Sequence, residues 1–207
     1  MGEVDLSDVT LAILAGGQSR RMGTPKTSLQ IRGRPILQYL MERLNWPGPT
    51  LLVTAPTREH PAGSALFDRE AVDPTEGQGP LRGVLTALLH SSTTIVIICT
   101  VDMPAIGSEH LIWGLRQLSD SPKLDGLMLR RKMDGRDQIE PFPLACRKSA
   151  AMAIEKQLQM GKSSVHALVE LPMFAAKNAP IDWPERIWTN LNSPWDYQAF
   201  LASEPAD

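Results

Sequence analysis

The sequence has little of what marks secreted, membrane-spanning or metal-binding proteins. Its longest apolar runs, such as residues 11–15 and 95–99, have five residues, whereas a helix needs roughly 20 to cross a bilayer. Two of its 207 residues are cysteines, Cys99 and Cys146, and they form neither a CxxC motif nor a metal-ligand cluster. Because Cys99 lies within an apolar run, we interpret it as a small buried side chain. These absences predict a cytoplasmic protein that has no membrane partner.

An excess of charge of one sign is also missing, since 21 lysines and arginines face 23 aspartates and glutamates and the net charge is −2. Electrostatic capture of a nucleic acid is therefore not expected. The first ten residues carry Glu3, Asp5 and Asp8, which is the opposite of the cationic start of a signal peptide. Apolar residues at 43% and charged residues at 21% are typical of a globular chain. The length favours a single domain over residues 1–207.

Apolar runs that alternate with helical patterns predict an α/β layer architecture. Strands are predicted at residues 9–14, 50–54, 94–100, 127–131, 143–147 and 186–191. Helices are predicted at residues 35–44, 81–89, 108–118, 149–160, 164–171 and 195–201, with Ser108 as the cap of the third. This order predicts a three-layer fold, in which a doubly wound, mostly parallel sheet carries helices on both faces.

Three polar stretches are expected to follow strand ends, at residues 15–26, 73–83 and 100–104. In a doubly wound sheet, ligands bind outside the carboxyl ends of the strands. We therefore expect the three stretches to meet in one ligand-binding site.

The first stretch reads L-A-G-G-Q-S-R-R-M-G-T-P-K over residues 14–26. Its glycines let backbone N–H groups approach an anion closely. Arg20, Arg21 and Lys26 add the positive charge that a triphosphate requires. The spacing fits neither a Walker A loop nor the Rossmann fingerprint. The stretch predicts an anion site, and the alternative is an ordinary glycine turn with solvated cations.

Asp102 follows an apolar predicted strand and comes two residues before Pro104. A carboxylate at the tip of such a strand is well placed to hold Mg²⁺ together with phosphate oxygens. The alternative is that Asp102 caps the next helix, although Ser108 lies nearer to the start of that helix.

The stretch at residues 73–83 places Gly77 and Gly79 where the backbone can pass close to a base or a ribose. Asp73 adds a carboxylate that can accept a hydrogen bond from a base or a sugar hydroxyl. Pro80 suits the first turn of the following helix. By itself, however, a Gly-Pro pair before a helix commonly marks a turn and does not indicate a function.

Four motifs together resemble the molybdenum cofactor guanylyltransferases, a family of the nucleotidyltransferase superfamily. They are the opening L-A-G-G-x-S-x-R-M-G…K, the G-P-L-x-G at residues 79–83, the D-M-P at residues 102–104 and the N-x-N-S-P at residues 190–194. The resemblance extends from Leu11 to about Tyr197, which is nearly the whole chain. It implies an enzyme that transfers GMP from GTP to the molybdenum cofactor and makes transient contact with proteins of molybdoenzyme maturation.

The resemblance implies a role in nucleotide binding for each matching position. Leu14, Ala15 and Gly16 would contact the guanine and the ribose, and Asp73 would also touch the nucleotide. With the loop residues argued above, the predicted nucleotide-binding set is Leu14, Ala15, Gly16, Gly17, Lys26, Asp73, Gly79 and Asp102.

The implied reaction is nucleotidyl transfer by alignment and charge neutralisation. The terminal phosphate of molybdopterin attacks the α-phosphorus of GTP in line, and pyrophosphate leaves. The predicted catalytic residues are Lys26, Arg21 and Asp102, with Mg²⁺ as the cofactor on Asp102. Asn190 and Asn192 would lie beside the pterin acceptor.

Two departures from the family pattern leave the base open. Pro25 stands where the family often has a carboxylate before the loop lysine, and residues 54–56 (Thr-Ala-Pro) stand where it has a nucleotide-contacting Asn. Cytidylyl transfer to the same cofactor and nucleotidyl transfer to a sugar or polyol phosphate are therefore alternatives. A non-catalytic nucleotide-binding scaffold is the rival from another class, although the intact Lys26, Asp73 and Asp102 favour an enzyme.

Within the single domain, the nucleotide-binding part is expected at about residues 9–105 and the acceptor-binding part at about residues 106–200. The charge run at residues 130–132 predicts a solvated edge strand, and the alternative is that residues 132–143 face the acceptor. The three tryptophans at residues 183–195 are assigned to core packing and lid structure, with a stacking surface for the pterin as the alternative.

Overall fold

The computed structural model describes residues 4–17, 21–56, 60–74 and 77–204. Within these ranges the strands are β1 (Val9–Leu14), β2 (Gln30–Ile31), β3 (Arg34–Pro35), β4 (Thr50–Thr54), β5 (Arg69–Val72), β6 (Ile95–Thr100), β7 (Gly126–Met133), β8 (Arg136–Arg147) and β9 (Phe174–Asn178). The α-helices there are α1 (Ile36–Leu44), α2 (Gly79–His90), α3 (Ser108–Ser119), α4 (Ala151–Gln159) and α5 (Pro194–Ser203). Short 3₁₀ turns are found at Leu6–Asp8, Lys26–Ser28, Ser64–Leu66, Lys148–Ala150, Val165–Glu170 and Glu185–Trp188.

The central element is a seven-stranded sheet with the strand order β5-β4-β1-β6-β8-β7-β9. The strands β5, β4, β1 and β6 run parallel to one another, whereas β8 is antiparallel to both β6 and β7. At the far edge, β9 runs parallel to β7. The predicted α/β class with a mostly parallel sheet is therefore confirmed.

Both faces of the sheet are covered at its centre. All six residues of β1 and all five residues of β4 are buried. Since successive side chains of a strand point to opposite faces, this burial requires neighbours on both sides. The helix α2 packs against β1, β4, β5 and β6, and α3 packs against β7 and β8. The helix α1 buries Leu37, Leu40 and Leu44, which share one stripe along it.

Backbone hydrogen bonds fix the loops that follow the parallel strands. The N–H of Val101 donates to the carbonyl of Leu14 (3.1 Å), and the N–H of Asp73 donates to the carbonyl of Thr54 (2.8 Å). The loops after β1, β5 and β6 therefore leave the sheet at the same edge, where the carboxyl ends of the four parallel strands meet.

The strand predicted at residues 186–191 is wrong. This segment forms the 3₁₀ turn Glu185–Trp188 and then runs irregularly until α5 begins. The N–H of Leu191 donates to the carbonyl of Asp102 (2.9 Å), which docks the segment against the end of β6 without adding a strand. Its apolar residues are buried, so their pattern reflects docking into the core.

Other boundaries also differ from the sequence-based expectation. The edge strands β5 and β9 are not predicted, because edge positions carry a weaker apolar pattern, and in β5 only Ala71 is buried. The helix predicted at residues 164–171 is the 3₁₀ segment Val165–Glu170. Ser108 is the first residue of α3, and its predecessor Gly107 occupies the N-cap position.

The charge run at residues 130–132 lies only partly inside the sheet, because β9 pairs with β7 as far as Arg130, whereas Arg131 and Lys132 pair with β8 alone. Arg131 donates to Glu140 (2.7 Å) and to Glu185 (2.8 Å), and its guanidinium lies 5.5 Å from the ring centroid of Trp188. The prediction of a solvated edge is therefore wrong for Arg131, whose side chain is 14% exposed.

Cys99 and Cys146 are both free and buried, which confirms the prediction for Cys99. Burial raises the pKa of each thiol. None of the helices in the described ranges combines the length and the apolar character that crossing a bilayer requires.

Candidate active site

A cavity of about 720 Å³ lies at the sheet edge where β5, β4, β1 and β6 end. Its walls come from the loop after β1, the loop between β5 and α2, the residues that follow β6, and the segment before α5. The three polar stretches therefore meet in one place, as the sequence predicts.

Most of the predicted site residues line this cavity. They are Leu14, Gly16, Gly17, Arg21, Lys26, Asp73, Gly79, Asp102, Asn190 and Asn192. Ala15 is buried and is not among the lining residues, and its N–H donates to the carbonyl of Val53 (2.8 Å). Arg20, which the sequence adds to the anion site, lies outside the described residues.

The charged centre of the cavity joins distant segments of the chain. The ammonium of Lys26 forms an ion pair with Asp102 and donates to Oδ1 of Asn192 (2.9 Å). The side chains of Lys26 and Asp102 are only 18% and 16% exposed. Because both groups are largely shielded from water, salt screens their charges less than it screens charges on the surface.

Asp102 presents a carboxylate oxygen that no described residue satisfies. Its Oδ1 is buried and has no hydrogen-bond partner among them, whereas Lys26 occupies Oδ2. An orphaned carboxylate oxygen beside a cavity is the kind of ligand that hard divalent cations prefer. In the part of the chain that the structure describes, no cluster of three or more His, Cys, Asp or Glu side chains could hold a metal ion. A divalent ion therefore fits at Asp102 where phosphate oxygens complete its coordination.

Asp73 lies in the same cavity, directly after β5. Its carboxyl accepts a hydrogen bond from the side chain of Thr86, and its Oδ1 has no hydrogen-bond partner within the described ranges. Burial raises the pKa of the Asp73 carboxyl, and the bond from Thr86 and the charge of Arg82 oppose that shift. Oδ1 of Asp73 is therefore an unpaired hydrogen-bond acceptor, within the described ranges, in a poorly hydrated part of the cavity.

Among the lining side chains that the sequence does not predict as site residues are Arg82 and Phe142. Arg82 lies in the first turn of α2, and its place inside G-P-L-R-G, just after the loop of Asp73, is the clue that could have found it. Phe142 is buried on β8 and reaches the cavity because β8 pairs with β6. No local pattern predicts that pairing, so Phe142 could not be found from the sequence.

The tip of the β7–β8 hairpin lines a different depression. Met133, Asp134 and residues 136–139 form that surface together with His166, and Lys132 pairs with Asp137 (2.9 Å). Of residues 132–143, all of which the structure describes, Phe142 alone lines the main cavity. The cations of this segment therefore do not face the cavity.

The three tryptophans differ in their surroundings. Trp188 is buried, and Trp183 packs against it with ring centroids 5.9 Å apart. Trp195 is 80% exposed on α5. The prediction of core packing is confirmed for Trp188 and wrong for Trp195, and none of the three lines the main cavity as the structure describes it.

A mostly parallel sheet whose carboxyl edge holds a cavity lined by glycines, cations and an unsatisfied aspartate is typical of α/β proteins that bind nucleotides. Residues 11–172 match the family model described as the MobA-like NTP transferase domain, and the chain belongs to that family. The resemblance found in the sequence is thereby confirmed. Nucleotidyltransferases of this family generally use a divalent metal ion.

Individual proteins that are similar to this chain in sequence or in structure are also nucleotidyltransferases or proteins of molybdopterin-guanine dinucleotide biosynthesis. The chain is 30% identical over 200 residues to the probable molybdenum cofactor guanylyltransferase of Carboxydothermus hydrogenoformans, covering 95% of this chain and 96% of that protein. Molybdopterin-guanine dinucleotide biosynthesis protein A from Archaeoglobus fulgidus superposes with a TM-score of 0.75 at 22% identity, covering 92% and 95% of the two chains. The 2-C-methyl-D-erythritol 4-phosphate cytidylyltransferase of Thermus thermophilus superposes with a TM-score of 0.71 at 16% identity, covering 94% and 98%. Both superpositions show the fold alone, so the fold does not select the base.

Proposed function

We propose that this protein transfers GMP from GTP to the molybdenum cofactor and releases pyrophosphate. The proposal depends above all on the convergence of Lys26, Asp102 and Asn192 at the strand edge, with Oδ1 of Asp102 unsatisfied within the described ranges. A fixed cation beside a free carboxylate oxygen suits a polyphosphate that brings its own divalent ion. The name of the relative that aligns over 95% of the chain supplies the base and the acceptor.

We assign the triphosphate to the loop after β1. Gly16 and Gly17 line the cavity together with Arg21 and Lys26, so the phosphates would meet backbone and cationic groups at once.

We assign the base and ribose to the other end of the cavity. This end is lined by the apolar side chain of Leu14, the carboxylate of Asp73 and the backbone of Gly79, which has no side chain. Ala15 would shape this wall from behind, since it is buried and does not line the cavity.

We assign the acceptor to the side of the cavity formed by Asn190, Asn192 and Phe142. The Nδ2 of Asn190 donates to the carbonyl of Trp188 (3.0 Å), which fixes its amide. The terminal phosphate of molybdopterin is already ionised, so its attack on the α-phosphorus needs no strong general base. As the new P–O bond forms and the bond to pyrophosphate breaks, Lys26 and Arg21 stabilise the charge on the phosphate oxygens.

We propose Mg²⁺ as the divalent ion, held by Asp102 and phosphate oxygens. When bound there it supplies further neutralisation of phosphate charge. The residues of the chain keep the carboxylate in place, since the carbonyl of Asp102 accepts the N–H of Leu191 (2.9 Å).

The test is pyrophosphate release by the purified protein with GTP, CTP or ATP, with and without molybdopterin and MgCl₂. We expect release only when GTP, molybdopterin and Mg²⁺ are present together. Lys26→Ala should abolish most of the release. Lys162→Ala should not, because Lys162 pairs with Glu170 (3.0 Å) and does not line the cavity.

Cytidylyl transfer is the second candidate, because Ala55 and Pro56 line the cavity and offer no side-chain amide to a base. Release of pyrophosphate with CTP in place of GTP would establish it. Release with a sugar or polyol phosphate as acceptor would replace the molybdenum cofactor in the proposal. Nucleotide binding without any release would indicate a scaffold.

We further propose that the chain acts as one domain, with the nucleotide bound by about residues 9–105 and the acceptor by about residues 106–200. We also propose a cytoplasmic location, because both cysteines are free, as is usual in reducing compartments. Transient contact with proteins of molybdoenzyme maturation would deliver the product. Cell fractionation tests the location, and crosslinking in cells tests the contact.

A further inference from the structure

Two buried polar atoms at one end of the cavity are unsatisfied. They are Oδ1 of Asp73 and Nε of Arg82, and neither has a hydrogen-bond partner in the described part of the chain. Both residues line the cavity. Arg82 is close enough to lower the pKa of the Asp73 carboxyl, yet these two atoms do not bond to each other. Buried polar groups without partners are rare and call for an explanation.

The position of these atoms in the fold separates them from the charged centre. Asp73 follows β5 and Asp102 follows β6, and the sheet order β5-β4-β1-β6 puts three strand spacings between them. At about 4.8 Å per spacing, this distance is roughly 14 Å. A nucleotide whose phosphates lie at Lys26 and Asp102 would therefore carry its base toward Asp73 and Arg82.

The cavity wall next to these atoms includes Leu14 and Gly83. A Cβ placed on Gly83, the neighbour of Arg82, would lie 3.3 Å from Cδ1 of Leu14 and 3.7 Å from Oδ2 of Asp73. The missing side chain of Gly83 therefore lets Leu14 and Asp73 pack close to the first turn of α2, beside Arg82. A ring that rests here can turn its polar edge toward Asp73 and Arg82.

We propose that Arg82 is a specificity-determining residue, whose Nε donates a hydrogen bond to O6 of guanine while Oδ1 of Asp73 accepts one from N1–H. The guanine edge presents this acceptor and this donor side by side. Adenine presents an amino donor at position 6 and an acceptor at N1, so both contacts would be lost and a donor would face the arginine. This inference rests on the proposed function, because it takes GTP as the nucleotide.

Equilibrium binding of GTP, ITP, ATP and CTP to the wild-type protein, measured by calorimetry with Mg²⁺ and without acceptor, tests the assignment. ITP keeps O6 and N1–H of guanine but lacks its amino group, so GTP and ITP should both bind more tightly than ATP. Arg82→Ala should weaken GTP and ITP by about ten- to hundredfold, since one good base contact discriminates by about 1–3 kcal/mol. Binding of ATP should change by less than about threefold.

Two further variants separate a hydrogen bond from a charge. In Arg82→Gln the side-chain amide nitrogen takes the place of Nε, so GTP selectivity should return in part although the charge is gone. In Arg82→Lys the charge stays but a methylene takes that place, so selectivity should stay low. Equal weakening of GTP, ITP and ATP in Arg82→Ala, with recovery in Arg82→Lys, would overturn the inference in favour of a phosphate contact.

The outcomes also separate this inference from the proposed function. If the wild type prefers GTP and Arg82→Ala keeps the same preference with an unchanged melting temperature, the role of Arg82 fails and guanylyl transfer stands. If the wild type prefers CTP or binds no nucleotide, both fail.

Discussion

Lys26 is held by side chains that come from distant parts of the sequence. Its ion pair with Asp102 and its hydrogen bond to Asn192 (2.9 Å) place a fixed positive charge at the end of β6. Removing one member of such a shielded pair leaves the other charge without compensation. The lysine therefore compensates the charge of Asp102 and, in the proposed reaction, neutralises the phosphates.

We expect Lys26→Ala to lower kcat by about a hundredfold, because one pre-oriented charge contributes roughly 3 kcal/mol to the transition state. The same variant frees both oxygens of Asp102, so Mn²⁺ should bind more tightly without nucleotide, which electron paramagnetic resonance can measure. Lys162→Ala is the matched control and should change neither quantity. A Lys26→Ala protein that turns over like the wild type would contradict the assignment.

The buried carboxylate of Asp73 should lower the stability of the folded protein, although it is proposed to bind the nucleotide. Burial raises the pKa of its carboxyl in the folded protein above 3.8. As the pH rises past 3.8, the unfolded chain therefore releases its proton first, and the native state is penalised. Asp73→Asn removes the charge at nearly constant size, so we expect a higher Tm at pH 7 and weaker GTP binding. The gain in Tm should vanish as the pH falls to 3.8 and below.

Asp137 is the matched control, with the opposite sign. Its hydrogen bond from Lys132 lowers the pKa of this exposed carboxyl, so its contribution to stability is present at neutral pH and is lost as the pH falls through the folded-state pKa. Asp137→Asn should leave Tm unchanged or lower it slightly at pH 7. Calorimetric scans from pH 3 to 8 compare the two variants. A Tm for Asp73→Asn below that of the wild type at pH 7 would refute the effect of burial.

The start of α2 depends on a glycine. Gly79 has φ +72°, and a Cβ there would lie 2.9 Å from the carbonyl oxygen of Ser163. That same carbonyl accepts the N–H of Leu81 (3.2 Å), so it cannot easily move away. The backbone of Ser163 therefore leaves no room for a side chain at residue 79 and fixes the beginning of α2. This part of the helix carries Arg82 into the cavity.

We expect Gly79→Ala to lower the free energy of unfolding by more than about 1 kcal/mol, because it adds both a left-handed strain and a clash. It should also raise KM for GTP. Gly114→Ala is the matched control inside α3, where a Cβ would meet nothing within 4 Å, and it should be neutral or stabilising by up to about 1 kcal/mol. Urea unfolding measures both, and a tolerated Gly79→Ala would show that α2 can shift without cost.

The elements that the sequence predicts well are those whose residues are buried along a continuous pattern. The strand at Val9–Leu14 is buried at every position, so its apolar run is sufficient evidence. The edge strand Arg69–Val72 buries only Ala71, and its pairing with β4 supplies the regularity that its composition lacks. The segment Glu185–Trp188 misleads because its apolar side chains dock without strand pairing.

The molecule as a whole is predictable in its parallel part and less so beyond it. Strand–helix alternation predicts β1, β4 and β6, and with them the edge where Lys26, Asp73 and Asp102 meet. The insertion of β8 between β6 and β7 depends on long-range antiparallel pairing. Phe142 enters the cavity only through that pairing, which no local signal in the sequence reveals.

A crystal structure of the wild-type protein with GTP and Mg²⁺ decides where the nucleotide lies in the molecule. We expect the guanine beside Asp73 and Arg82, and the α-phosphate within hydrogen-bond reach of Lys26 with the metal ion on Asp102. Difference density for the base at the Asn192 end, or for a nucleotide bound outside this cavity, would contradict the assignment of the site.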